Sequence, residues 1–135
     1  MIKIDDIESL ARELINDRAN EVKHRCAISR AYYATFHYCK NAATKWCNPL
    51  PESEKENKGE HSKLYLQLDT CSKDQAKAGN LRLIAAEARK LKNLRTRADY
   101  DLDETLDGKD YTRGMSYLSQ VKTYLSELNK TEPTV

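Results

Sequence analysis

Residues 20–47 read NEVKHRCAISRAYYATFHYCKNAATKWC, and this stretch decides the fold. At about 100° per residue along an α-helix, Ile28, Tyr32, Phe36, Cys39, Ala43 and Trp46 fall within one narrow sector. That spacing predicts a long helix, from near Asn20 to Cys47, facing a core along its length. Burying a ring such as Tyr32, Phe36 or Trp46 is worth roughly 1.5–3 kcal/mol. The seam therefore assigns these three rings to packing, not to a platform for stacked bases.

The pattern extends outward on both sides. Upstream, Ile7, Leu10, Leu14 and Ile15 make an apolar stripe that predicts a first helix over 4–18. Downstream, NPLPESEKENKG (48–59) interrupts the periodicity with two prolines, charge and a glycine, and reads as a solvated loop. A short helix is expected over 60–72, with Leu64, Leu68 and Cys71 inward. The next spans 75–98, with Ile84, Ala88, Leu91, Leu94 and Ala98 on one face. A loop over 99–109 leads to Asp110 as the N-cap of a last helix, 111–129, whose inner face is Met115, Leu118, Val121, Leu125 and Leu128. These lengths predict an all-α fold: an up-and-down four-helix bundle with an additional short helix. One domain covers 1–130, and TEPTV (131–135) is a flexible tail.

Composition agrees. Four glycines and three prolines in 135 residues are too few for a sheet of short strands. Charged residues make up 33% of the chain, which implies a wet surface. No run of about 18 apolar residues exists, so no membrane partner is expected. The start, MIKIDDIESLARELI, is acidic where a secretory signal needs a basic end and an apolar stretch. A cytoplasmic location follows as the expectation. Cys26, Cys39, Cys47 and Cys71 form no CxxC pair, and no two of the Cys and His residues stand three or four apart. Without that helical ligand spacing, neither a metal nor another cofactor is expected. In a reducing compartment the cysteines read as buried or half-buried free thiols.

Net charge is only +2, but its distribution is uneven. Residues 82–97 carry six basic side chains against one acid, and residues 99–110 carry six acids against one lysine. Cations at a helix C-terminus complement the macrodipole, each contributing roughly 0.3–1 kcal/mol. The same cations beside an acidic loop also make a phosphate-facing patch. Two places break the apolar pattern more sharply. Arg95 falls inside the core-facing sector of its helix, where a guanidinium must be paired or line a cleft; Asp99, four residues on, is in reach. Arg30, Tyr33 and His37 line the edge of the long seam, placed either to contact bases and phosphates or to pack between helices with polar tips bonded. His24 reads as an exposed helix histidine.

The stretch Ala27-Ile28-Ser29-Arg30-Ala31-Tyr32-Tyr33-Ala34-Thr35-Phe36-His37 resembles the A-x-S-R-A-Y-Y-A-x-F-H signature on the second helix of HEPN-domain proteins. Glu60-His61-Ser62 is similar to that family's H-S-G element, and Leu94-Arg95-Thr96-Arg97-Ala98-Asp99-Tyr100 to the L-R-x-x-A-D-Y motif of its small single-domain branch. The motifs occur in the family's order, and the likeness covers roughly residues 7–128. The resemblance implies a helical bundle that forms a homodimer, with RNA as target. It further implies a metal-independent endoribonuclease of a toxin–antitoxin or phage-defence system, or a partner of a nucleotidyltransferase-like antitoxin. The family's site is an R-x4-H type motif shared across the dimer cleft. Here Arg95 takes the arginine's place, but Tyr100 stands where the histidine would be, and no histidine follows His61. Tyrosine, with an unperturbed pKa of about 10, is a poor base at neutral pH. The catalytic candidates are thus Arg95, Asp99, Tyr100 and His61, with Arg30, Tyr33, His37, Lys92 and Arg97 as substrate contacts. The alternative is a non-catalytic module that docks a protein or nucleotide, with Arg95 as an anion contact or a structural pair.

Overall fold

The computed structural model describes residues 2–15 and 20–130. Five α-helices follow one another: α1 (Ile4–Glu13), α2 (Glu21–Trp46), α3 (Glu60–Thr70), α4 (Gln75–Tyr100) and α5 (Gly108–Lys130). A single 3-10 turn, Glu52–Glu54, sits in the loop before α3. Among the described residues the only extended pairing is one antiparallel bridge, Cys47 with Ser72.

The long seam forms the centre of the molecule. Asn20 caps α2 by accepting the Lys23 amide at 3.0 Å, and α2 packs against every other helix. Ile28, Tyr32, Phe36, Cys39 and Ala43 are buried as expected, and Trp46 is half-buried. Ala27, Ala31, Ala34 and Ala42 are buried as well. Their small side chains let neighbouring helices come close, so more than one face of α2 is covered. Contacts at the ends fix direction. Arg25 near the start of α2 meets the last turn of α4, while the end of α2 pairs with the segment leading into α4. Lys77, buried near the start of α4, donates to the Leu128 carbonyl near the end of α5 at 3.3 Å and lies over the Trp46 ring. α2 and α5 therefore oppose α4, an alternating arrangement with α3 as the short addition.

Several boundaries differ from the sequence reading, among them that of α3, which ends at Thr70 with Cys71 as its half-buried cap. α1 ends at Glu13, and Leu14 and Ile15 form a half-buried turn; residues 16–18 of the expected helix, like the tail 131–135, lie outside the described residues. Its inward face is also different. Glu8 and Ala11 are buried, whereas Leu10 is exposed. Glu8 tolerates burial because Arg12 (2.8 Å), Lys122 (3.0 Å) and the Tyr38 hydroxyl (3.1 Å) all donate to its carboxylate. Those donors hold its pKa below the usual carboxylate value despite desolvation. Apolar periodicity cannot register such pairing.

α4 runs two residues past its expected end, so Asp99 and Tyr100 are helical, not part of the loop. α5 begins at Gly108, and Asp110 is inside it, not its cap. Asp107 takes that role, accepting the Lys109 amide at 2.9 Å and the Asp110 amide at 3.3 Å, while Asp110 accepts the Asp107 amide at 3.0 Å. This reciprocal arrangement satisfies amides that a helix start leaves open.

The extension of α4 has a visible cause. The Arg25 guanidinium donates to the carbonyls of Arg97 (3.1 Å), Ala98 (2.9 Å), Asp101 (3.2 Å) and Glu104. With its side chain 11% exposed, Arg25 satisfies acceptors that a helix end otherwise leaves to water. Arg25→Ala is expected to destabilise the protein by about 2–3 kcal/mol, because the carbonyls stay partly shielded without a donor. Urea denaturation checks this. An unchanged midpoint would mean that water replaces the guanidinium fully.

Candidate functional site

The three segments quoted for the motif resemblance converge. His61, at the start of α3, stacks on Phe36 with ring centroids 4.3 Å apart and lies beside Tyr32 at 5.5 Å. The Tyr32 hydroxyl is hydrogen-bonded to His61 Nδ1, and at 2.7 Å to the Tyr65 hydroxyl. Arg95 also lies over the Tyr32 ring, its guanidinium carbon 5.6 Å from the centroid. Arg95 Nε forms an ion pair with Asp99 Oδ2 at 2.8 Å, and the Ser29 hydroxyl donates to the same oxygen at 3.3 Å. Tyr100 covers Arg95 from the next turn, 5.7 Å from the guanidinium carbon. Asp99, Arg95, Tyr32 and His61 thus form one chain of contacts across α4, α2 and α3.

Burial shifts two members of this chain of contacts, Tyr32 and His61. Burial pushes the Tyr32 phenol up to about 12, so it stays a neutral hydroxyl at pH 7. Burial, then the positive charges of Lys92 and Arg95, hold the His61 pKa below the ordinary histidine value. His61 is therefore a neutral imidazole at pH 7, a form able to take a proton. Arg95, with 28% of its side chain exposed, is neither enclosed nor free. It is fixed by Asp99 and open on one side. The chemistry available is a cation and a neutral base held in register by one phenol.

Not every candidate joins this group. Arg97 turns away and pairs with Glu104 at 2.9 Å. Lys92, half-buried, lies on the same side of α4 as Arg95, close enough to act on His61. Arg30 and Tyr33 are exposed beside the cluster, and His37 leans on Tyr33 with centroids 5.1 Å apart. Arg30 borders two clefts of about 510 and 420 Å³, the second shared with Tyr33, and the walls of both include Leu10 from α1. Around those clefts Leu10 (43%), Val22 (67%) and Leu102 (76%) expose apolar surface. His24 is half-buried, not exposed, its ring 6.3 Å from Tyr111.

Tyr65 and Ser29 were not singled out by sequence reasoning. Tyr65 stands four residues after His61 and so shares its helix face, the one signal that could have found it. Cys39 and Cys47 are buried and Cys71 half-buried, but Cys26 is exposed; all four are free thiols. Among the described residues no group of three or more His, Cys, Asp or Glu side chains comes together to hold a metal ion.

What these features define is an all-helical bundle carrying an arginine–tyrosine–histidine cluster at the junction of three helices. No helix among the described residues is long and apolar enough to cross a membrane. Comparison with protein-family models, with curated proteins and with solved structures gives no match to this chain.

Proposed function

We propose that the chain is an HEPN-type, RNA-acting protein that cleaves a phosphodiester with Arg95 and His61 and works as a homodimer. The observation that carries this reading is the double role of Tyr32, which bonds His61 through its hydroxyl and meets Arg95 with its ring. In such a cleavage the ribose 2′-OH attacks the adjacent phosphate and the P–O5′ bond breaks. The 5′-oxygen leaves as a hydroxyl after taking up a proton, with a 2′,3′-cyclic phosphate on the other product. A neutral His61 accepts the proton of the 2′-OH, and Arg95 balances the charge gathering on the phosphorane oxygens. His61 thereby occupies the part that Tyr100 is chemically unsuited to fill. A role in a toxin–antitoxin or defence system, with a nucleotidyltransferase-like antitoxin as partner, follows from the motif resemblance alone. The test is incubation of the purified protein with bulk tRNA and mRNA in EDTA, wild type beside Arg95→Ala. Wild-type cleavage that Arg95→Ala loses supports the proposal; equal products from both would sink it.

Homodimer formation draws support from the exposed Leu10, Val22 and Leu102 beside Asp99 and Arg30. A twofold contact buries the same patch on both copies. Sedimentation at tens of micromolar is expected to give twice the 15.5 kDa chain mass, and Leu10→Glu combined with Val22→Glu to give the monomer. A monomeric wild type under those conditions counts against the dimer. The second reading, a non-catalytic docking module, is favoured by the 2.8 Å Arg95–Asp99 pair, which already satisfies part of the guanidinium. RNA left intact by a protein whose apolar patch binds another chain would select it.

A further inference from the structure

Beside the cluster, α3 and α4 enclose a cleft of about 430 Å³ whose polar lining is Lys58, Ser62, Tyr65, Arg89, Lys92 and Asn93. No carboxylate lines it. Lys58 and Lys92 have no carboxylate partner among the described residues, while Arg89 shares its charge with Asp69 at 2.6 Å. The cleft between α4 and α5, by contrast, is bordered by Lys90, Arg97 and Arg113, each paired with an acid.

Position along α4 adds a second, independent observation. Arg89, Lys92 and Arg95 are spaced by three residues, each step rising about 4.5 Å on one side of the helix. Facing them is a wall of rings, with Arg89 5.9 Å from the Tyr65 centroid and Arg95 5.6 Å from that of Tyr32. A row of cations with hydroxyl and amide donors between them suits a chain of phosphates better than one anion.

We propose that this cleft is a track for the backbone of single-stranded RNA, with Lys92 and Lys58 holding the phosphates that neighbour the one at Arg95. The track rests on the RNA-acting reading above and names its substrate form. A duplex would present its two strands at fixed separation, whereas a single row of cations follows one strand.

The experiment uses the full chain and a fluorescently labelled 12-nucleotide single-stranded RNA, with anisotropy read in EDTA from 50 to 200 mM salt. Each phosphate contact with a single strand contributes about −0.7 to the slope of log K against log salt. Lys58→Gln combined with Lys92→Gln is therefore expected to make the slope shallower by about 1.4. Lys109→Gln combined with Lys130→Gln, an equal loss of charge from exposed positions on α5, is expected to leave it unchanged. Circular dichroism confirms that both variants stay folded. An unchanged slope in the first pair, an equal fall in the second, or no wild-type binding overturns the track. If AMP displaces the strand far more tightly than inorganic phosphate does, the cleft is a mononucleotide site and the track is likewise overturned. Cleavage, read separately from gels, distinguishes the two ideas. A shallower slope without cleavage leaves the track standing and removes the ribonuclease, and cleavage with an unchanged slope does the reverse.

Discussion

Replacing Arg95 by lysine is expected to lower RNA cleavage by about 100- to 1000-fold, the usual effect of removing one donor that stabilises developing charge. Charge is conserved in this substitution, so the loss isolates geometry. The guanidinium is planar: its Nε pairs with Asp99 at 2.8 Å, and its carbon lies 5.6 and 5.7 Å from the Tyr32 and Tyr100 rings. A lysine ammonium is a point charge on a flexible stem and cannot hold two phosphate oxygens in fixed positions. Arg97→Ala, two residues on and paired with Glu104, is expected to weaken binding mildly. Tyr100→Phe keeps the ring over Arg95, and its full activity would leave His61 as the proton acceptor. A folded, dimeric Arg95→Lys protein with wild-type rates ends the assignment.

The same cluster predicts a pH profile. His61 titrates below its ordinary value of 6.5 because burial, Lys92 and Arg95 disfavour the imidazolium. The acid limb of cleavage should therefore lie below pH 6.5, and Lys92→Gln should move it upward. Stability follows the same sign. As pH falls below 6.5 the unfolded chain protonates this histidine first, so its contribution opposes folding increasingly down to the folded value and levels off below it.

Phe36→Ala carries the largest expected effect on stability, a loss of about 3–5 kcal/mol. The ring is 7% exposed and supports the His61 imidazole at 4.3 Å, with Leu50 and Leu64 nearby on the loop and α3. Truncation leaves a void that the helices close only in part, and it removes the surface on which His61 rests. Thermal denaturation checks the first consequence, and RNA cleavage at a temperature where the variant is folded checks the second. A variant that keeps the wild-type melting temperature while losing RNA binding would make Phe36 a stacking platform instead of a core residue.

The helices were legible where burial is apolar. α4 and α5 follow rows of Ile, Leu, Ala, Met and Val and α2 a row rich in rings, and the structure buries these rows except Trp46 and Leu125, which are half-buried. Legibility failed where a polar group decides the local structure. Glu8 is inside because three donors meet it, and α4 continues through Tyr100 because Arg25, distant in sequence, satisfies its carbonyls. The site was legible to a similar degree. Arg95 with Asp99 could be placed from one helical turn, since the pair is local. The approach of His61 required three helices to meet, and no spacing along the chain encodes that. Tyr32 satisfied the core reading so well that its hydroxyl, bonded to both His61 and Tyr65, carried no sequence signal of its own.

The grip of Arg25 on the last turn of α4 bears on how the molecule opens. A helix end is ordinarily the first part to fray, and its amides exchange with solvent independently of the rest. Here the turn bearing Ala98 and Asp99 is tied to α2, which touches every other helix. The cluster cannot loosen at that end unless α2 yields too. Amide protons around Asp99 should therefore exchange with the slow set of the central helix, making the site part of the cooperative core and not a separate, softer unit.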